Sequence, residues 1–267
     1  MSYSNYYPTS GMVHGSLPAL MGTRMDVLLF DGDAQQLEDV WKWIEQKGRM
    51  LEKMLNRFDP VSEVSIVNDN ARFSAFILSD ELWSIMLDCR RYHEMTEGYF
   101  DVTRTNFEKI IFVDESQCIR FGGDGVILDF GGYAKGYALK CIHKRLDEVG
   151  IQRALINFGN SSALALGGHP HGDSWLVSID DSSDVSAFPP IHLYNESLSV
   201  SGNSHSRKAH IFNPKTSELV VGEQMVAVVA DDPVDAEVLT TAWIASGSQN
   251  EPEWFDKFNM KNKYRVK

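Results

Sequence analysis

The residues best placed to do chemistry lie in three stretches. In the first, Leu128-Asp129-Phe130-Gly131-Gly132-Tyr133-Ala134-Lys135-Gly136-Tyr137-Ala138, two adjacent glycines precede a helix start. Paired glycines let the backbone approach a ligand closely. The helix beginning at Ala134 would present unpaired N–H groups and a positive dipole end, which suit a phosphate, and Lys135 adds a point charge there. A plain tight turn into an amphipathic helix would use the same residues. In the second stretch, Asp235 to Thr241, the oxygens of Glu237 and Thr241 lie four residues apart and project from one helix face. A carboxylate with a hydroxyl suits a hard cation such as Mg²⁺, which keeps waters and bridges phosphates. A surface Glu beside a Thr that bonds back to its own helix is the plainer reading of that pair. The third stretch, Ala209-His210-Ile211-Phe212-Asn213-Pro214-Lys215-Thr216, reads as a short strand entering an Asn-Pro turn. His210 is a candidate general base near neutral pH, and a structural histidine would look the same.

These stretches need elements to hold them. Thr23 to Phe30 reads as a strand, and Ala34 to about Phe58 carries Leu37, Val40, Trp41, Ile44, Leu51, Met54, Leu55 and Phe58 at helical spacing. Gly48 weakens the middle of that helix without breaking its pattern. A second helix spans about Asp80 to Glu97, with Ser79 as N-cap and Gly98 as its stop. A third runs from about Ala134 to Val149 and closes at Gly150. Short strands follow at Ala154–Phe158, Ala163–Leu166, Trp175–Ile179, Ile191–Tyr194 and Met225–Ala230. The last helix opens at Asp232-Pro233, an N-cap followed by proline at the first helical position, and ends near Gly247. Helices and strands come in blocks, which predicts an α+β protein with mainly antiparallel sheets packed against helices. Residues 1–20 are expected to be irregular, residues 21–250 to form a single domain, and residues 251–267 to be a charged, loosely held tail.

A chain of 267 residues can bury a full core. Its 37 acidic against 25 basic residues give a net charge of −12, which argues against a nucleic-acid surface. An anionic ligand must therefore be held locally by backbone N–H groups, a single Lys or a metal. The three cysteines, Cys89, Cys118 and Cys141, are scattered and predict free thiols, not a disulfide framework. No run reaches the roughly 20 apolar residues of a membrane helix. No basic start followed by an apolar stretch opens the chain, so a soluble, cytoplasmic protein is expected.

Taken in order, these segments resemble the ApbE family. The glycine stretch is similar to that family's DLGGIAKGYA motif, with Phe130 and Tyr133 in place of Leu and Ile. Asn157-Phe158-Gly159-Asn160 sits where the family has N-x-G-G. His210 to Thr216 resembles its H-I-x-[DN]-P-x-T turn, and Ala236 to Gly247 its A-D-x-x-x-T-A helix. Upstream, Met21-Gly22-Thr23 resembles an opening MGT. Phe58-Asp59-Pro60 with Ser62-Glu63 resembles Y-x-P-x-S-E, and Phe100-Asp101-Val102-Thr103 resembles F-D-P-T. The similarity spans about Met21 to Gly247.

The resemblance implies an ApbE-like, T-fold-like domain of two intimately packed halves with FAD bound between them. Met21, Phe58, Tyr99, Phe100 and Asp101 would lie near the flavin nucleotide, with Phe58 packed on the adenine. Gly131, Lys135, Tyr137 and Ile211 would complete the pocket. Mg²⁺ or another divalent cation would take the backbone oxygen of Ala134 with the side chains of Glu237 and Thr241. The implied activity is that of an FAD:protein FMN transferase. A Thr or Ser hydroxyl of an acceptor protein attacks the FMN phosphorus and AMP leaves, with His210 assisting the hydroxyl. Two departures stand out: Glu237 replaces the family's usual Asp, and the segment from Arg104 to Ile127 is short. A carboxylate one methylene longer shifts its oxygen beyond the tolerance of a strict octahedral Mg²⁺ site, so a contact through water or another ion is expected.

Overall fold

The structure is a computed structural model that describes residues 2–179, 188–203, 211–222 and 224–266. The chain opens with strands β1 (Tyr3–Tyr7), β2 (Met12–Leu20) and β3 (Thr23–Leu29), followed by helices α1 (Ala34–Leu55) and α2 (Glu63–Asn70). Strand β4 (Phe76–Ile77), helix α3 (Asp80–Met95), and strands β5 (Ile110–Val113) and β6 (Cys118–Phe121) come next. After helix α4 (Ala134–Glu148) the chain forms β7 (Ala154–Phe158), β8 (Ser162–Leu166), β9 (Trp175–Val177), β10 (Ile191–Leu193) and β11 (Glu196–Asn203). Strands β12 (Phe212–Asn213), β13 (Glu218–Leu219) and β14 (Gln224–Ala230), helix α5 (Pro233–Ser246) and strand β15 (Met260–Val266) complete it.

Eight strands form one sheet in the order β1-β2-β3-β7-β8-β11-β14-β15, and each described pairing in it is antiparallel. The fold is thus α+β, as its blocks of helices and strands predict. The apolar stripe of α1 (Leu37, Val40, Trp41, Ile44, Leu51) packs with Leu139, Ile142 and Leu146 of α4 onto Val13, Leu17, Met25 and Ile156 of the sheet. Helix α5 lies beside α4 and faces β11 and β14. It is apolar on almost every side, which is the signature of a buried helix. Asp232 caps it by accepting from Val234 N at 2.8 Å, and Gly247 (φ 67°) ends it. Strand β14 is buried on both faces: Val226 and Val228 turn towards α5, while Met225, Ala227 and Val229 join a cluster with Trp175, Ile191 and Leu193. Helices α2 and α3 and the small β4-β6-β5 sheet build a further core, which meets that of α1 and α4 at Met21, Met54 and Tyr137.

Several expectations are corrected. The opening residues are not irregular: Val13, Leu17 and Leu20 are fully buried in β2. The polar and proline residues between them disguise the strand, and Pro18 is tolerated where the β2–β3 register slips between Leu17 and Leu20. The charged tail is not loosely held, because β15 pairs with β14 from Met225↔Val266 to Ala230↔Met260. Helix α1 stops at Leu55 because Asn56 Oδ1 accepts from Phe58 N at 3.0 Å and turns the chain. Cys89, Cys118 and Cys141 are all free thiols. No helix among the described residues is long and apolar enough to cross a membrane.

Candidate active site

The turn before α4 is tied from within. Asp129 Oδ1 accepts from Gly131 N at 3.0 Å, and Phe130 O accepts from both Tyr133 N and Ala134 N at 2.9 Å. Tyr133 takes the N-cap position without a side-chain hydrogen bond, so no hydroxyl or carboxylate caps this helix start. The glycines are needed for contact with α5. A Cβ on Gly132 would stand 2.9 Å from both Thr241 Oγ1 and Cγ2, and one on Gly136 would stand 2.7 Å from Pro233 O. The first turn of α4 and the flank of α5 therefore touch.

In front of this junction lies a cleft of about 550 Å³. Its walls are Gly22 and Thr23 at the β2–β3 turn, Tyr99, Asp101 and Arg104, then Asp129, Gly131, Gly132 and Lys135, Ser161 and Val200 to Gly202, Ile211, Phe212 and Pro214, and Glu237 and Thr241. A second hollow of about 310 Å³ adjoins it across Gly22, Asp129 and Gly131, lined by Met21, Glu52, Leu55, Arg57, Phe58, Phe130 and Ala134. Two lobes divided by a Gly-rich turn suit an elongated ligand with a chemical group at each end.

Of the residues expected at the site, Tyr99, Asp101, Gly131, Lys135, Ile211, Glu237 and Thr241 line the main cleft. Met21, Phe58 and Ala134 line the second lobe. Phe58 is 79% exposed, with the Arg57 guanidinium 4.2 Å from its ring centre. Asp101 also fixes its own loop, since its Oδ1 accepts from Thr103 N and Thr103 Oγ1 at 2.6 and 2.7 Å. His210 lies outside the described residues.

Two expectations are not met. Phe100 is buried in the core against Tyr92 and Tyr133 and does not line the cleft that its neighbours Tyr99 and Asp101 line. Tyr137 stacks on Tyr133, and its hydroxyl reaches Glu81 Oε1 at 3.3 Å, beside a separate hollow shared with Asp88, Arg91 and Lys140. Two residues beyond Lys135 on a helix is the far face, so the two side chains cannot serve one cleft.

The sequence reading also missed residues that the cleft uses. Asp129 Oδ2 accepts from Arg104 Nη2 at 2.8 Å, and Arg57 Nε lies 2.9 Å from the same oxygen. Arg104 adopts a left-handed backbone (φ 72°), and its guanidinium sits 5.2 Å from the Phe212 ring centre. It forms part of the cleft wall. Its only sequence signal is its place directly after the Phe100–Thr103 motif. Ser162 and Ser199 were missed as well. They are register partners on β8 and β11, and both hydroxyls donate to Glu237 Oε2, at 2.6 and 3.1 Å.

Glu237 is 3% exposed. A buried carboxylate needs several partners to offset its lost hydration. Besides the two serines, it has Lys135 Nζ bonded to its Oε1. Thr241 Oγ1 donates to Glu237 O at 3.0 Å, the bond back to its own helix that the plainer reading of this pair foresaw. Burial and the Asp235 carboxylate push the Tyr92 hydroxyl far above the usual tyrosine range, which keeps it a hydrogen-bond donor to Asp235 Oδ1 at 2.5 Å.

Residues 21–109 and 102–264 match the ApbE family. The chain belongs to that family. An FAD:protein FMN transferase of Chlamydia muridarum is 23% identical to this ApbE-family chain, over 84% of it and 82% of that relative. One from Rhodobacter capsulatus is 30% identical over 50% of the chain and 27% of its own length. Among solved structures, the ApbE protein of Thermotoga maritima superposes with a TM-score of 0.78 at 18% identity, covering 94% of this chain and 88% of that one. The flavin transferase ApbE of Vibrio cholerae gives 0.77 at 17% identity, covering 92% and 89%. The ApbE fold is therefore present across nearly the whole chain.

Proposed function

We propose that this ApbE-family protein is an FAD:protein FMN transferase, which moves FMN from FAD onto a Thr or Ser hydroxyl of an acceptor protein and releases AMP. The observation that carries this reading is the two-lobed cleft in front of the uncapped start of α4, with the Lys135 ammonium beside it. Lys135 and the α4 N–H groups would neutralise the diphosphate. The adenine would take the lobe of Phe58, whose exposed ring offers a stacking face, and the isoalloxazine the side of Tyr99 and Ile211. The acceptor hydroxyl would approach the FMN phosphorus in line with the departing AMP oxygen. Such transfer needs positioning and charge neutralisation more than covalent help.

The family resemblance also implies a divalent cation held by Ala134 O, Glu237 and Thr241. The donor set does not fit that ion. Both lone pairs of Glu237 Oε2 are taken by serine hydroxyls and Oε1 carries an ammonium, so the only carboxylate of the set is already occupied, and Thr241 Oγ1, which gives its proton to Glu237 O, keeps its lone pairs but is a single neutral donor.

The test is to incubate the purified chain with FAD and a soluble protein extract of its source, following AMP release and flavin fluorescence on denaturing gels. A fluorescent acceptor band with AMP in proportion is the expected result. Free FMN with AMP would indicate hydrolysis, and bound FAD with neither product would refute transfer.

A further inference from the structure

We infer that Lys135 is the resident cation of this cleft, held there by Glu237, and that the protein binds FAD without a divalent metal. This rests on the proposal that the cleft takes FAD. Three observations converge. The Glu237 carboxylate is buried in α5 and points back to the sheet, where Ser162 and Ser199 face each other across the β8–β11 pair and both donate to Oε2. Thr240 Oγ1 joins the same network, 3.2 Å from Ser199 Oγ and accepting from Ser201 Oγ at 2.9 Å. The remaining oxygen, Oε1, is bonded to Lys135 Nζ at the cleft floor. A cation placed on Oε1 would stand against that ammonium, and like charges at such range repel strongly in a half-buried site.

The extra methylene of Glu over Asp explains the geometry. It carries the carboxylate far enough to reach the two serines and Lys135 at once. The serines hold the glutamate, the glutamate holds the ammonium, and the ammonium keeps two N–H groups for a diphosphate. Glu237, Ser162 and Ser199 are then positioning residues, and Lys135 is the group that touches the ligand.

Two measurements on the full chain decide this. In the first, Mn²⁺ alone is titrated and followed by its electron paramagnetic resonance signal, with no flavin present. No site tighter than millimolar is expected, and a micromolar site removed by Glu237→Ala would overturn the inference. In the second, FAD affinity is measured in chelator and in millimolar Mg²⁺. The unaltered chain should agree within about twofold between the two, whereas Lys135→Met should lose about tenfold or more in chelator and recover part of it in Mg²⁺, because Oε1 is freed. Glu237→Asp should likewise gain Mg²⁺ dependence. A tenfold tightening of the unaltered chain by Mg²⁺, or the absence of any metal response in Lys135→Met, would overturn the inference. If folded protein binds no FAD in either condition, the functional reading fails, and the Mn²⁺ arm still decides whether the ammonium or a metal holds Glu237.

Discussion

Replacing Gly136 by alanine tests whether the contact of α4 with α5 is what shapes the cleft floor. The new Cβ would stand 2.7 Å from Pro233 O, 2.8 Å from Glu237 Cβ and 3.1 Å from Val234 Cα. Two of these are backbone atoms in the capped first turn of α5, which cannot swing aside. Alanine gains up to about 1 kcal/mol over glycine in a helix. Overpacking costs about 1–3 kcal/mol, and a collision with backbone belongs at the upper end. A net loss of about 1–2 kcal/mol should result, lowering Tm by roughly 2–8 °C for a chain of this size. FAD affinity should fall too, because α4 and its N–H groups are pushed away from α5. Gly48→Ala is the internal control. There the Cβ would meet Leu20 Cδ2 at 2.9 Å, the far end of a flexible side chain, so the substitution should be neutral or stabilise by up to about 1 kcal/mol. Both are read by calorimetry and flavin titration. A Gly136→Ala protein melting at or above the parent would refute the claim that the helices touch there.

Phe58→Ala should leave the unfolding free energy within about 0.5 kcal/mol of the parent, because the ring is exposed. It should weaken FAD by about 0.5–1.5 kcal/mol, and an unchanged dissociation constant would remove Phe58 from the adenine lobe. Asp235 gives a pH signature. Burial raises its carboxyl above the ordinary 3.8, although the Tyr92 hydroxyl bonded to it pulls the other way. A carboxyl raised by folding contributes stability that is full below 3.8 and is lost as pH rises through the folded value. Asp235→Asn keeps an acceptor for Tyr92 and cannot ionise. Its Tm should therefore move upward relative to the parent as pH climbs from about 3.8, and a gap that stays constant or narrows would contradict the shift.

Much of this was legible from residues whose neighbourhood is local. Ser79 and Asp232 cap their helices as their spacing implies, and the apolar stripe of α1 marks its buried face. The juxtaposition of the Gly131-Gly132 turn with Glu237 and Thr241 was readable only through the family resemblance, since it joins segments about a hundred residues apart. Strand β11 hid because its alternation is inverted. Ser197, Ser199 and Ser201 face inward to α5 and its buried glutamate, while Leu198 and Val200 face the β9–β10 cluster, so the polar side does not mark solvent. Helix α2 was masked by its brevity, and Ser62, read as part of a motif, is its N-cap, accepting from Ser65 N at 3.0 Å. Glu237 shows why donor spacing alone does not make a ligand set, since Lys135, Ser162 and Ser199 already occupy its oxygens. Two oxygens on one helix face are available to an ion only if the rest of the fold leaves them free.

The pairing of β15 with β14 has a practical consequence for anyone shortening the protein. Strand β14 is buried along its whole length, and β15, with Lys261, Lys263 and Arg265 at alternate positions, is what closes that side of the sheet. A version ending at Asn259 would keep every residue of the cleft and still expose the edge of a seven-residue strand, apolar from Met225 to Ala230, with open peptide groups. It should precipitate through strand addition between molecules, so low solubility in such a version would say nothing about catalysis.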